Sequence, residues 1–244
     1  MLFPKGLIVS CQAYEGDPLF GAHIMAALAR AAEEGGAVGI RANSPADIAA
    51  IRQSTKLPIV GLYKVHSTTS EVYITPDLAS AIAIAQAGCD MIAIDATPRP
   101  RQNGTTLEQL VRFIHDELGK PVMADVSCIE DALLAQTLGV EVISTTMAGY
   151  TAHGRPKMPG PDLEFLAEVV KTVSVPVTAE GRFHEPQQAA QAMAVGAHAV
   201  IVGSAITRPE DITRRFVNQM PEVRSQISDI RHQISDIRHQ KSDF

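Results

Sequence analysis

The chain has 244 residues, 45% of them hydrophobic and 20% charged, with a formal net charge of −6 and a sequence pI near 5.7. These values suit a globular protein with a full core and leave no basic footprint for nucleic acid or an anionic membrane. No apolar run approaches the roughly 18–20 residues of a membrane span, and Met1-Leu-Phe-Pro-Lys5 leads onward without a signal-peptide pattern. Cys11, Cys89 and Cys128 are odd in number and form no C-x-x-C motif. They are read as free thiols of a reducing compartment, so a cytoplasmic location is expected.

Short apolar runs then alternate with longer Ala-, Leu- and Glu-rich stretches. The runs expected as strands are residues 6–12, 37–43, 58–64, 91–97, 121–127, 141–147, 175–182 and 199–207. They are nearly continuous in apolar residues, as expected when helices cover one face and a barrel interior the other. Helical patterns occupy 18–34, 76–87, 107–118, 131–138 and 186–195, and Gly35-Gly36, Leu57-Pro58, Lys120-Pro121 and Val175-Pro176 announce strands. Ser44-Pro45, Thr75-Pro76, Glu185-Pro186 and Arg208-Pro209 place proline where a helix begins. Eight such units in this length give a closed parallel TIM (β/α)₈ barrel. A doubly wound open sheet would carry a G-x-G-x-x-G after its first strand, and none is present.

Two segments break the pattern. Residues 148–161 form a long polar loop on the active-site face, either a lid or an inert surface loop. The chain then repeats Gln-Ile-Ser-Asp-Ile-Arg-His over 226–239. Ile227, Ile230, Ile234 and Ile237 space as a heptad seam, extended backwards by Phe216, Met220 and Val223, but Pro221 interrupts the phase. The division is therefore a barrel over 1–220 and a duplicated, weakly structured tail over 221–244, with packing on a second subunit as the alternative.

Polar residues collect where the strands end: Gln12, Arg41, Lys64, Asp95, Asp125, Thr145-Thr146, Glu180-Gly181-Arg182 and Gly203-Ser204. The C-terminal strand ends of this fold build active sites, so these groups are expected to share one. The glycine turns at Gly181 and Gly203, with Ser204, Arg182 and Arg208 nearby, suit a phosphate cup after strands seven and eight. Eight histidines show no H-x-H or H-x-x-x-H spacing, and His66, His153 and His184 are read as solvated loop residues, so no metal is expected. A pairing of Lys64 with Asp95 on the next strand would be an ordinary structural ion pair.

Several strand ends together resemble the bacterial N-acetylmannosamine-6-phosphate 2-epimerases. The matching stretches include Gly6-Leu-Ile-Val-Ser-Cys-Gln12, Ile40-Arg41-Ala-Asn43, Gly61-Leu-Tyr-Lys64, Ile94-Asp-Ala-Thr97 and Met123-Ala-Asp-Val126. Further along are Thr145-Thr-Met-Ala-Gly-Tyr-Thr151, Gly160-Pro-Asp162, Ala179-Glu-Gly-Arg182 and Val202-Gly-Ser-Ala-Ile-Thr-Arg-Pro209. The resemblance runs from residue 6 to about 219 and stops before the tail. It implies an isomerase of sialic acid breakdown without metal or nucleotide cofactor, acting on a phosphosugar, and a homodimer. By motif, Lys64 is the acid/base residue and Glu180 its catalytic partner. Gln12, Arg41, Asp125, Asp95 and Thr145 would hold the sugar, and Gly181, Arg182, Gly203, Ser204 and Arg208 the phosphate. C2 of an acetamido-hexose becomes acidic only beside an open-chain aldehyde. A lysine base must first shed a proton, which burial and a nearby cation such as Arg41 would favour. Rival readings are a pentose-phosphate 3-epimerase, a Schiff-base aldolase or lyase using Lys64, and a non-catalytic sugar-phosphate-binding barrel.

Overall fold

The structure is a computed structural model that describes residues 3–220. Eight parallel strands close on themselves in chain order, each pairing with the next and the eighth with the first. The strands are β1 (Gly6–Cys11), β2 (Gly39–Asn43), β3 (Ile59–Leu62), β4 (Met91–Asp95), β5 (Val122–Asp125), β6 (Val142–Ser144), β7 (Val177–Glu180) and β8 (Ala199–Val202). Between and after them lie α1 (Ala22–Glu34), α2 (Pro45–Ser54), α3 (Leu78–Gln86), α4 (Leu107–Asp116), α5 (Ile129–Thr137), α6 (Leu163–Thr172), α7 (Pro186–Val195), the short α8 (Ser204–Thr207) and α9 (Pro209–Asn218). This is the TIM barrel that the alternating runs predict. Among the described residues no helix is long and apolar enough to cross a membrane. The duplicated heptad and its tail lie outside the described residues.

Strand periodicity divides the core in two. Ile8, Val60, Leu62, Met91, Ala93, Met123, Val142, Ala199 and Ile201 fill the barrel, with Phe3 joining the same cluster. The alternate residues, such as Val9, Ile40, Ile59, Ile92, Ile94, Val122, Ile143 and Val200, pack in the larger cluster formed with the helices. Side chains two apart on a strand share a face, so Arg41, Asp125 and Glu180 inherit the inward direction. Gly61 belongs to the outward set because a Cβ there would come 2.6 Å from Cys89 Cβ and 3.0 Å from Ile48 Cδ1.

Helix starts follow the expected chemistry. Ser44 Oγ accepts from Asp47 N–H at 3.2 Å, and Glu185 forms a capping box with Gln188. The third junction differs. Asp77 caps α3 through Ser80 N–H at 2.8 Å, which leaves Thr75-Pro76 before the helix. Seven strands also end earlier than their apolar runs. After β6 the chain tightens into a 3₁₀ turn over Thr145–Met147, and after β8 Gly203 turns it into α8. Lys64 lies two residues past β3, held by an isolated bridge to Ile74.

Candidate active site

β2 and β5 bring together Arg41 and Asp125, which are 1% and 0% exposed. Arg41 Nη2 lies 2.5 Å from Asp125 Oδ2 and Nη1 lies 3.2 Å from Oδ1, a two-pronged clasp across the barrel. The third nitrogen, Nε, sits 3.3 Å from Glu180 Oε2 at the end of β7. That approach is outside hydrogen-bond alignment, so among the described residues Nε has no hydrogen-bond partner. Burial opposes the Arg41 charge, but Asp125 and Glu180 outweigh it and raise its pKa. Burial also pushes the Asp125 and Glu180 carboxyls above the usual carboxylate range, against the pull of Arg41.

Thr146 joins the two carboxyls. Its hydroxyl is 2.8 Å from Asp125 Oδ1, 2.9 Å from Glu180 Oε2 and 2.8 Å from Ser144 Oγ. A hydroxyl has one proton to give. If Ser144 donates to it and it donates to one carboxylate, the other carboxyl must supply the third proton. Arg41 clasps Asp125 with two donors, so the extra proton belongs on Glu180. Thr145, expected to hold the sugar, instead clamps β7. Its hydroxyl accepts from Glu180 N–H at 3.1 Å and donates to Glu180 carbonyl at 3.2 Å. Val142 and Ser144 point inward, and Thr146 keeps that parity into the 3₁₀ turn.

Across a cavity of about 210 Å³ from this cluster stands Lys64, half-buried. Asn43 Oδ1 accepts its backbone N–H at 2.8 Å, and its Nζ donates to Tyr14 Oη at 2.8 Å. Asp95, the expected ion-pair partner, is taken by its own loop. Its Oδ2 meets Arg99 Nη2 at 2.7 Å, and its Oδ1 accepts the Thr97 hydroxyl at 2.6 Å. Arg101 donates to the Asp95 carbonyl. Asp95 therefore shapes the β4 loop and does not line the cavity. Gln12 does: its Nε2 donates to Ser10 Oγ at 2.7 Å, while its buried Oε1 has no partner among the described residues. Loops contribute Tyr14, Tyr73, Ile74 and Tyr150 to the walls. None of these was singled out from the sequence, because loop aromatics carry no strand periodicity. Burial, followed by the neighbouring Tyr14 and Asp125, pushes the Tyr73 phenol up to about 12.

The expected phosphate residues separate by role. Gly181 lines the cavity with φ 113, a conformation that L side chains rarely adopt, and a Cβ there would meet open space. Gly203 approaches β1, where an added Cβ would stand 3.3 Å from Ser10 Cβ, and Ser204 opens α8. Arg182 straps down the 148–161 loop by donating from Nη1 to Ala148 carbonyl at 2.8 Å and from Nε to Gly160 carbonyl at 2.9 Å. Its guanidinium also lies 5.3 Å from the Tyr150 ring. Arg208 is held by Asp17 at 2.7 Å and Glu210 at 3.0 Å. Neither arginine presents a free charge as expected, because carbonyls and carboxylates already occupy their donors. The loop histidines are also engaged: His66 stacks on Tyr73, His153 reaches Ser127 Oγ at 3.1 Å, and His184 meets Arg215 at 2.9 Å.

A family model described as "Putative N-acetylmannosamine-6-phosphate epimerase" matches residues 25–222. The chain is 46% identical over 221 residues to a curated relative from Caldanaerobacter subterraneus subsp. tengcongensis, covering 90% of this chain and 93% of the relative. It is 48% identical to one from Enterobacter sp. (strain 638), covering 86% and 91%. Both carry the name "Putative N-acetylmannosamine-6-phosphate 2-epimerase". A solved structure described as the N-acetylmannosamine-6-phosphate 2-epimerase from Clostridium perfringens superposes with a TM-score of 0.84 at 44% identity, covering 87% of this chain and 92% of that one.

Proposed function

The chain belongs to the N-acetylmannosamine-6-phosphate epimerase family, and from that premise we propose how its own residues carry out the reaction. It is an isomerase interconverting N-acetylmannosamine-6-phosphate and N-acetylglucosamine-6-phosphate by removing and returning the proton at C2. Lys64 takes the C2 proton. Charge then develops on the carbonyl oxygen at C1, where the unpartnered Nε of Arg41 is a fixed donor. Glu180, carrying its extra proton, acts on the ring and anomeric oxygens. Lys64, now protonated, returns a proton to the opposite face of C2 once the planar intermediate has turned over in the cavity, which completes the inversion. Asp125 keeps Arg41 in place, and Gln12 offers its free carbonyl oxygen to a sugar hydroxyl or amide.

The observation that supports this reading is the hydrogen-bonded cluster of Arg41, Asp125, Thr146 and Glu180, of which Arg41, Thr146 and Glu180 face Lys64 across a single cavity. Phosphate is placed against Gly181, Gly203 and Ser204, with Arg208 exchanging Asp17 for the incoming anion. The reaction itself is tested by proton NMR of N-acetylmannosamine-6-phosphate with enzyme and chelator. Appearance of the 2-epimer without added metal or nucleotide is expected. Binding without turnover would leave a phosphosugar-binding barrel.

The barrel over residues 3–220 is read as the catalytic unit, with the 221–244 tail adding none of these groups. The exposed Phe216 and Met220 at and after α9 favour a homodimer, for which light scattering should return twice the 26.1 kDa of the chain. Cys11, Cys89 and Cys128 are all unpaired, which supports a reducing, cytoplasmic setting.

A further inference from the structure

Away from the cavity, the start of α5 meets the 148–161 loop. Cys128 is the residue preceding α5, Asp131 lies in its first turn, and His153 comes from the loop. Cys128 Sγ, a carboxylate oxygen of Asp131 and a ring nitrogen of His153 all lie within 4.8 Å of one another. We propose that these three residues form a Zn²⁺-class metal site that ties the loop to α5.

Three observations carry it. The ligands are a thiol, a carboxylate and an imidazole, three donors of the kinds that tetrahedral Zn²⁺ takes, with the fourth position left to water. Asp131 Oδ1 lies 3.4 Å from His153 Nε2. Two ligands about 2.05 Å from a tetrahedral ion stand roughly 3.3 Å apart, so this edge is already formed. The carboxylate is also pre-oriented. Asp131 is 2% exposed, and its other oxygen accepts the Ser127 N–H at 3.0 Å and hydroxyl at 2.6 Å. That leaves Oδ1 directed at the histidine, in the arrangement that holds a metal-ligating carboxylate in place.

The thiol is the part that must change. Metal binding releases the thiol proton as the thiolate–metal bond forms. The loop makes room for its histidine locally. A Cβ on Gly154 would come 2.6 Å from Ser127 Oγ, so the glycine allows this close approach. Tyr150, three residues before His153, lines the substrate cavity. A bound ion would thus fix one wall of that cavity.

The test is titration of the metal-free full chain with Co²⁺, which reports ligation by its spectrum, followed by displacement with Zn²⁺. One saturable site with a thiolate-to-cobalt charge-transfer absorption is expected. Cys128→Ser should abolish that absorption, and His153→Ala should weaken binding at least about tenfold. His153 is 33% exposed on a loop, so its removal leaves the barrel intact, and a thermal melt checks both variants. The paired substitution His232→Ala with His239→Ala should leave the site unchanged. Absence of saturable binding, or binding that survives in Cys128→Ser with its spectrum unaltered, overturns the proposal. So does loss confined to the His232/His239 variant.

Discussion

Thr146→Val keeps the shape of the side chain but removes the hydroxyl that sits between Asp125, Glu180 and Ser144. In the wild type that hydroxyl donates to one carboxylate at 2.8 or 2.9 Å. A hydrogen bond to a charged group contributes about 1.5–3 kcal/mol. At about 1.4 kcal/mol per factor of ten, its loss should lower kcat by about ten- to a hundredfold. The direction of the pH effect follows from the same bond. When Glu180 ionises, Thr146 can turn its one proton from Asp125 to Glu180, which stabilises the ionised form and opposes the rise that burial causes there. Removing it raises the Glu180 pKa further, and the limb of the kcat profile that belongs to Glu180 should move to higher pH. KM should change less than kcat, because Thr146 stands behind the acid rather than against the sugar. The assay is initial rate by NMR or coupled detection from pH 5 to 9, with a thermal melt as a folding control. A folded Thr146→Val enzyme with unchanged kcat and an unmoved profile would refute the one-proton account of the cluster.

Arg208→Ala should lower kcat/KM on the phosphorylated substrate by about ten- to a hundredfold and much less on unphosphorylated N-acetylmannosamine. Equal losses on both would place Arg208 outside the phosphate site. Asp47, raised by burial to about 6, enters the fold most readily uncharged. Its contribution is present below the unfolded pKa near 4 and is lost as pH rises through about 6. Asp47→Asn should therefore gain on wild type above pH 6, by no more than about 1–2 kcal/mol once the helix N-terminus is allowed for, as read from urea midpoints at pH 5 and pH 8. Gly61→Ala forces a methyl to within 2.6 Å of Cys89 Cβ and should cost about 1–3 kcal/mol in the same denaturation assay.

The barrel, and the positions of the polar residues at its strand ends, can be read from the sequence because both depend on periodicity. A strand buried on two faces shows as a continuous apolar run, and a polar residue at its end stands out. Arg41, Asp125 and Glu180 were visible for that reason, and the inward parity they share with Met123 and Thr178 sets where they point. The same parity reaches past the end of β6: Val142, Ser144 and Thr146 share the inward side, so Thr146 and not Thr145 meets the carboxyls although the strand stops at Ser144. Parity could not say which polar groups are already satisfied. Asp95 has the same inward placement as Asp125, yet Thr97, Arg99 and Arg101, all within six residues, saturate it. Arg182 and Arg208 looked like anion binders by position, but the carbonyls of the 148–161 loop and Asp17 meet them in space. His153 was read as a solvated loop histidine because its neighbours, Ser127 and Asp131, lie more than twenty residues away in the chain. Long-range partners leave no trace in local spacing.

Lys64 is the group on which the mechanism turns, and exchange of the C2 proton isolates its role. Wild-type enzyme in D₂O should wash deuterium into C2 of both epimers as N-acetylmannosamine-6-phosphate equilibrates. Lys64→Ala should lose about 10²–10⁴-fold of that exchange. Lys64→Arg should fail comparably, because its guanidinium keeps the charge but gives up no proton at neutral pH. Borohydride should trap no adduct, since the lysine moves protons and forms no bond to carbon. A folded Lys64→Ala enzyme that exchanges C2 hydrogen at the wild-type rate would contradict the assignment and move the base to Glu180.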